Sequence, residues 1–381
     1  MKLSFLDPLF AGFGPWASVY LDTSRDIDDA DKAIDLRWRH QRDELIAQGA
    51  DTATVSALAT VVGAGRSLSG SHGQALFAAH GRLALAEELP EPPARDMARF
   101  DELPHGLPLA VQRAPDIPYL AIALTHSNRN PSVEGDDGGG GGDSILAVWE
   151  AGRWPTSKVG PVQRLSRQVP IEEWQRTAPE IAQETADLAG HYQAEAIVIC
   201  READETWVTG VLVNRLPDRL RNRVSVVEGD CAAPSEASAG PALLEERVGH
   251  VLEGCLSAAD ELQVEAFLAQ RARHREKSEG ITAVVTALQQ GQARAILLDR
   301  RAKLSGRLWV SAEPPQIALS ASELEAFGAM SPSEKPTDTA LLYAAFRTGT
   351  ELIVLPQGRI PLTGGVGVLL RYQDDRNTTA Q

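Results

Sequence analysis

Cysteine is scarce in this 381-residue chain, which holds only Cys200, Cys231 and Cys255. An odd count without a CxxC pair argues against a disulfide framework and against a Cys-rich zinc site. Long apolar runs are missing too. No stretch nears the ~20 residues of a membrane span, and the opening run after Lys2 is broken by Asp7 and Pro8, too early for a signal peptide. The chain is therefore expected in the cytoplasm and off the membrane. Lysine is rare, 6 against 31 arginines. Beside abundant alanine this fits the codon bias of a GC-rich genome, so arginine content alone carries no functional weight. Excess positive charge is lacking overall: 37 basic residues face 52 acidic ones, a formal net charge of −15. A protein that coats duplex DNA over its whole surface does not look like this. The common enzyme signatures are also absent. There is no GxxxxGK[ST], GxSxG or HExxH, and Gly63-Ala64-Gly65 lacks the third glycine of a dinucleotide fingerprint and reads as a helix end. The eight histidines are scattered without metal-ligand spacing, so neither metal nor cofactor is expected.

What is present is globular: 43% hydrophobic and 23% charged residues, over a length that fits two or three domains of ~100–200 residues. Proline clusters at Pro90–Pro93 and Pro104–Pro108 suggest a linker near residue 110. Gly138–Gly142, flanked by aspartates, reads as a flexible loop tip, and Cys231–Pro241 as a surface loop. In the first part, Ala17–Leu21 reads as a strand, Asp28–Ile46 and Thr54–Val62 as helices, and His80-Gly81 as a hairpin turn. In the second, Tyr119–Thr125 and Ile145–Trp149 pattern as paired strands and Val169–Gln193 as a helix kinked or restarted at Pro179. Ala196–Cys200 patterns as a strand buried on both faces. Asp204 is placed to cap a helix from Thr206 to about Asn214, and Val224–Val227 adds a strand. In the third, Leu243–Arg275 reads as largely helical. Helices at Ile281–Gln290 and Thr337–Arg347 then alternate with strands at Ala295–Leu298, Leu352–Leu355 and Val366–Tyr372. The fold class expected is α/β, with mixed sheets covered by helices.

Two segments depart from the acidic background. From Ala151 to Pro170 stand Arg153, Lys158, Arg164 and Arg167 with no acidic residue. From Arg271 to Arg307 there are nine basic residues, Arg271, Arg273, Arg275, Arg300, Arg301 and Lys303 among them, against Glu276, Glu279 and Asp299. Local positive charge on an acidic protein is the pattern of a phosphate contact, against the plainer reading of chance clustering on solvated faces.

The ordered combination of GPWASVYLDTS (Gly14–Ser24), HGQALFAAHGRLALAEEL (His72–Leu89), a basic loop after the middle hairpin, and RIPLTGGVGVLLRY (Arg359–Tyr372) resembles a known family. It is similar to the bacterial and archaeal relatives of the eukaryotic-type peptide-chain release factor and Pelota, in their actinobacterial, Balon-like branch. The resemblance runs over nearly the whole chain, though each motif alone is weak. It implies a three-domain release-factor/Pelota-like architecture: residues 1–110, residues 111–275 with the basic loop 151–170 and a linking helix, and residues 276–381 as an L7Ae-like sandwich. It implies a ribosomal A-site ligand that contacts rRNA, tRNA and a translational GTPase. The middle loop of true release factors carries Gly-Gly-Gln, whose glycines admit the backbone to the ester and whose Gln positions water. Here Gly152–Pro170 reads GRWPTSKVGPVQRLSRQVP. Gln163 and Gln168 lack the glycine pair, and no Asn-Ile-Lys-Ser stop-codon motif occurs. The expectation is a non-catalytic ribosome-binding hibernation or stress factor. The alternative is a peptidyl-tRNA hydrolase or tRNA nuclease in which Gln163 or Gln168 positions water. The expected RNA contacts are the ten cations Arg153, Lys158, Arg164, Arg167, Arg271, Arg273, Arg275, Arg300, Arg301 and Lys303.

Overall fold

The structure is a computed structural model that describes residues 1–66, 68–127, 143–202, 206–229, 231, 242–314 and 316–372. The expectations at Gly138–Gly142, at Asp204 and over most of Cys231–Pro241 lie outside these residues. The chain gathers into two compact units, Met1–Pro115 with Gly254–Gln381, and Asp116–Glu253. Among the described residues no helix is long and apolar enough to cross a membrane.

The first unit opens with an antiparallel sheet of β1 (Trp16–Asp22), β2 (Gly73–Ala79), β3 (Arg82–Leu89) and β4 (Met97–Asp101), in the order β3-β2-β1-β4. The β2–β3 turn is made by His80 and Gly81, both at positive φ (50° and 71°). Two left-handed residues in a row define a type I′ turn, whose twist matches the strands it joins. Alternation sorts the β1 side chains by face. Ala17, Val19 and Leu21 pack under helices Ala30–Ala47 and Thr52–Ala59, with Trp38 and Leu45, while Trp16 and Tyr20 face a second core with Phe77 and Leu342. The proline-rich stretch is more than a linker. It holds β4 and helix Leu107–Arg113, whose Pro108 sits in the first turn, where a missing N–H is harmless.

The second unit is a five-stranded mixed sheet in the order β7-β6-β5-β8-β9, built from β5 (Ile117–Ser127), β6 (Ser144–Trp154), β7 (Gln163–Pro170), β8 (Ala196–Arg201) and β9 (Val224–Glu228). β5 pairs antiparallel with β6, with Ile122 opposite Trp149, as the apolar patterning suggested, and parallel with β8. Both faces of β8 are covered. Ile197 and Ile199 join the core under helices Trp174–His191 and Thr206–Arg215. Val198 and Cys200 join the core beneath helix Glu245–Leu252. Two sequence expectations need correction here. Residues 163–170 form strand β7, and the helix begins at Trp174, where the indole Nε1–H donates to Val208 O at 3.1 Å. The sulfurs of Cys200 and Cys231 are also bonded, 31 residues apart in sequence. Spacing hid the pair, because β8 and the segment after β9 become neighbours only through the sheet.

The remainder of the first unit carries β10 (Ala293–Asp299), β11 (Arg307–Val310), β12 (Ile317–Ala318), β13 (Ser333–Pro336), β14 (Glu351–Leu355) and β15 (Val366–Leu370). β14-β10-β15 form one sheet, as expected for their apolar runs; β12-β11-β13 form a small second sheet that patterning missed because its strands are two to four residues long. The helical stretch after Leu243 breaks into Glu245–Leu252 and Ala258–Arg273. The latter packs on the C-terminal sheet, with Phe267 against Leu297, Ile353 and Leu369. Gln270 fastens it there, donating to Val368 O at 2.9 Å and accepting from Leu370 N–H at 2.9 Å.

Candidate functional site

The residues 151–170, read as a basic loop, are a hairpin. β6 runs to Trp154, a short 3-10 helix Thr156–Lys158 turns the chain, and β7 returns with Arg164 opposite Glu150 and Arg167 opposite Ala147. The four cations have no acidic neighbour in sequence, yet each meets a carboxylate in space. Arg153 grips Asp116 through Nε–Oδ1 (2.6 Å) and Nη2–Oδ2 (2.8 Å), which holds its guanidinium pKa above the usual value. Lys158 lies 4.8 Å over the Trp154 ring centroid and 3.6 Å from Glu245. Arg167 meets Glu180 at 2.6 Å and Glu184 at 3.6 Å, and its pKa is also raised, first by the hydrogen bond to Glu180.

Arg164 goes deepest. Its Nε donates to Glu150 Oε1 at 2.7 Å, with side chains only 5% and 1% exposed. Glu150 also accepts from the Leu243 N–H at 3.0 and 3.1 Å and the Leu244 N–H at 3.1 Å. A buried carboxylate surrounded by a guanidinium and two amides is a fold clamp, since an ion pair persists inside only when its lone pairs are used. Beneath it, the buried Tyr119 hydroxyl has its pKa raised, chiefly by burial.

The two glutamines lie in the same strand. Gln163 is exposed opposite Ala151. Gln168 donates to Ser144 Oγ at 2.6 Å. Five residues apart on a strand, they project to opposite faces, and the hairpin does not bring them together.

The C-terminal cations split. Arg271 and Arg275 both pair with Glu279, Arg275 at 3.2 Å. Burial works to raise the Glu279 pKa, but Thr363, Arg275 and Arg271 outweigh it and hold the carboxyl low. Arg273 is exposed in the last turn of its helix. Arg300 is half-buried, 3.5 Å from Glu91. Arg301 and Lys303 follow β10, exposed, and Asp299 Oδ1 accepts the Arg301 N–H at 2.8 Å, which shapes that turn. Among the described residues neither of these two side chains has an ion-pair partner. No group of three or more His, Cys, Asp or Glu is placed to hold a metal among the described residues.

Sequence reasoning missed Asp116, Glu150, Glu180 and Glu245, the anions that neutralise the hairpin. Only Glu150 gave a signal, as a lone charge inside the apolar run ILAVWEAG (Ile145–Gly152).

With this geometry in place, residues 118–273 match the model of the bacterial archaeo-eukaryotic release factor family 2. That span holds the five-stranded sheet and the β6–β7 hairpin. The middle part of the chain is thus similar to a release-factor family, and the resemblance to release-factor relatives is borne out over that span. Over nearly its whole length the chain is also similar to an uncharacterized protein of Mycobacterium tuberculosis, 24% identical over 393 residues, covering 98% of this chain and 97% of the relative. Among solved structures, it is similar to the archaeal translation termination factor aRF1 (15% identity, 97% and 96% of the two chains, TM-score 0.22). It is also similar to Pelota of Archaeoglobus fulgidus (12% identity, 79% and 80%, TM-score 0.35).

Proposed function

We propose that the protein is a ribosome-binding factor of release-factor/Pelota type that occupies the A site without cleaving peptidyl-tRNA, as a hibernation or stress factor does. The β6–β7 hairpin carries this reading, because it lies inside the segment that matches the release-factor family. A hydrolytic loop needs a glutamine beside a backbone free to approach the ester. Here the turn is closed by Lys158 on Trp154 and by the Arg153–Asp116 pair. Both glutamines sit in regular β-strand, one of them bonded to Ser144.

The RNA contacts fall to the cations left exposed. Arg301 and Lys303 are the first choice, then Arg273 and Arg275. Arg164 belongs to the core, and Arg153, Lys158, Arg167, Arg271 and Arg300 serve mainly the fold through their carboxylates. The division at residues 1–110, 111–275 and 276–381 is part of this proposal; no sheet crosses its boundaries, although helix Ala258–Arg273 packs on the C-terminal sheet and residues 1–115 gather with 254–381 in one unit. So are a cytoplasmic location and contacts with rRNA, tRNA and a translational GTPase, which the family resemblance implies.

Two assays test the reading. Purified ribosomes carrying peptidyl-tRNA are incubated with the protein, and release is measured; no release above background is expected. Release that disappears in Gln163→Ala or Gln168→Ala would establish the hydrolase instead. In parallel, co-sedimentation with ribosomes at two salt concentrations should show binding that weakens as salt rises. No binding at low salt would remove the ribosomal reading altogether.

A further inference from the structure

The five-stranded sheet ends on β7, an edge that no strand covers among the described residues. Ile171 N–H donates to Asp143 O at 3.0 Å. In an antiparallel ladder the doubly bonded pairs alternate, so at the observed register Val169, Arg167, Leu165 and Gln163 exchange both backbone bonds with β6. Ser166 and Gln168 then aim their N–H and C=O groups away from the sheet. Both residues are exposed, and among the described residues no strand pairs with this edge.

Natural sheets usually blunt such an edge with proline, a bulge or an outward lysine. β7 is eight residues long, has its one proline at the last position, and pairs with β6 without a bulge. Its charges are not free to guard it. Arg164 is turned into the core and Arg167 is held by Glu180.

Beside the edge, between β7 and helix Trp174–His191, runs an open groove of about 580 Å³. Its floor is apolar, from Leu165, which is 40% exposed, and Leu188. Its wall carries three carboxylates, Glu180, Glu184 and Asp187, against the guanidinium of Arg167 and the imidazole of His191. Arg167 pairs with Glu180 and Glu184 and does not reach Asp187. Glu184 Oε2, shut off from solvent, lies 3.6 Å from Arg167 Nη1, whereas Asp187 accepts from Gln183 Nε2 at 2.8 Å and has no ion-pair partner among the described residues.

We propose that β7 and this groove form a docking site for an extended polypeptide segment of a partner protein that carries Lys or Arg at alternate positions. The segment adds a sixth strand through the outward groups of Ser166 and Gln168. Alternate side chains of an added strand project to the helix-covered face, where its cations meet Glu180, Glu184 and Asp187. The excess of carboxylates makes the same groove repel phosphates, so the partner is a polypeptide and not RNA. This inference does not depend on the ribosomal reading.

The probe is a capped, fluorescein-labelled nonapeptide of alternating Lys and Thr, titrated into the full chain. Anisotropy should report saturable binding, and amide exchange over residues 163–170 should slow on binding. Alternate N-methylation of the peptide, which blocks strand pairing, should weaken binding at least tenfold. So should Glu180→Gln with Asp187→Asn, two changes at the groove wall that leave the core untouched. A Glu-Thr peptide should not bind. No binding of the Lys-Thr peptide overturns the proposal. Binding that survives N-methylation also overturns it, as mere attraction to an acidic protein. Protection of 163–170 that rises with protein concentration alone would show self-association at this edge instead.

Discussion

At the residue scale, the buried charges decide more than the exposed ones. Glu150 and Arg164 form a pair closed off from water, so Glu150→Gln removes a buried carboxylate from the guanidinium it faces. The expected loss is roughly 3 kcal/mol or more, read as a clear fall in melting temperature; an unchanged melting temperature would show the pair to be solvated. His105 gives a pH dependence. Burial presses its imidazole pKa down from 6.5 to about 4, with Asp338 opposing and Arg99 assisting the shift. Its Nδ1 faces Arg99 Nη1 and Thr339 Oγ1, each at 3.2 Å, and Asp338 Oδ2 at 3.7 Å. Between pH 6.5 and 4 the unfolded chain binds a proton that the folded chain refuses. Stability contributed by this site is therefore complete above pH 6.5 and falls as pH drops, by on the order of 1 kcal/mol per pH unit. Urea unfolding at pH 7.5 and pH 5 should show a steeper loss for the native chain than for His105→Asn; equal losses would clear His105 of the role. The cysteines give a third outcome. Thiol titration in denaturant without reductant should find one reactive thiol, that of Cys255, which lies outside the Cys200–Cys231 bond. Three reactive thiols would mean that the bond does not form.

At the element scale, the hairpin β6–β7 and the turn after β10, both expected from charge patterning to contact RNA, differ in how far their cations are paired. The cations of residues 151–170 stabilise a folded hairpin, and those at 301 and 303 stay exposed. Arg301→Ala with Lys303→Ala should weaken ribosome co-sedimentation and flatten its salt dependence, by roughly one unit of slope per lost phosphate contact on the duplex scale and less on single strands. The melting temperature should not move. Arg167→Ala, by contrast, should leave the salt slope unchanged, because Glu180 and Glu184 already neutralise that side chain. A flattened slope for Arg167→Ala would return the hairpin to the RNA interface. Strands and helices with a full period were legible in the sequence: β5, β8, β10 and β14 as apolar runs, and the β2–β3 turn from His80-Gly81. β7 was not. Its residues QRLSRQVP are polar at most positions, because one face is turned to solvent or to ion pairs, so nothing in its pattern separates it from a loop.

At the scale of the whole molecule, the net charge of −15 predicts no affinity for duplex DNA at physiological ionic strength. A gel shift with a random duplex checks this, and a salt-sensitive shift would contradict the local-contact reading. The sequence by itself determined the α/β class, the order of the apolar strands, the absence of Gly-Gly-Gln and the resemblance that the family match over residues 118–273 bears out. These are properties of local pattern and ordered motifs, which need no partner across the fold. Tertiary structure alone decided which charges are free. Arg164 and Glu150 are 14 residues apart and Lys158 and Glu245 are 87 apart, and no local rule pairs them. It also decided the Cys200–Cys231 bond, the placement of Ala258–Arg273 on the C-terminal sheet, and the position of β7 at the edge of its sheet among the described residues. Each depends on which strands lie side by side, and hydrogen-bonded neighbours in a sheet are set by long-range packing that a one-dimensional charge or hydropathy pattern does not record.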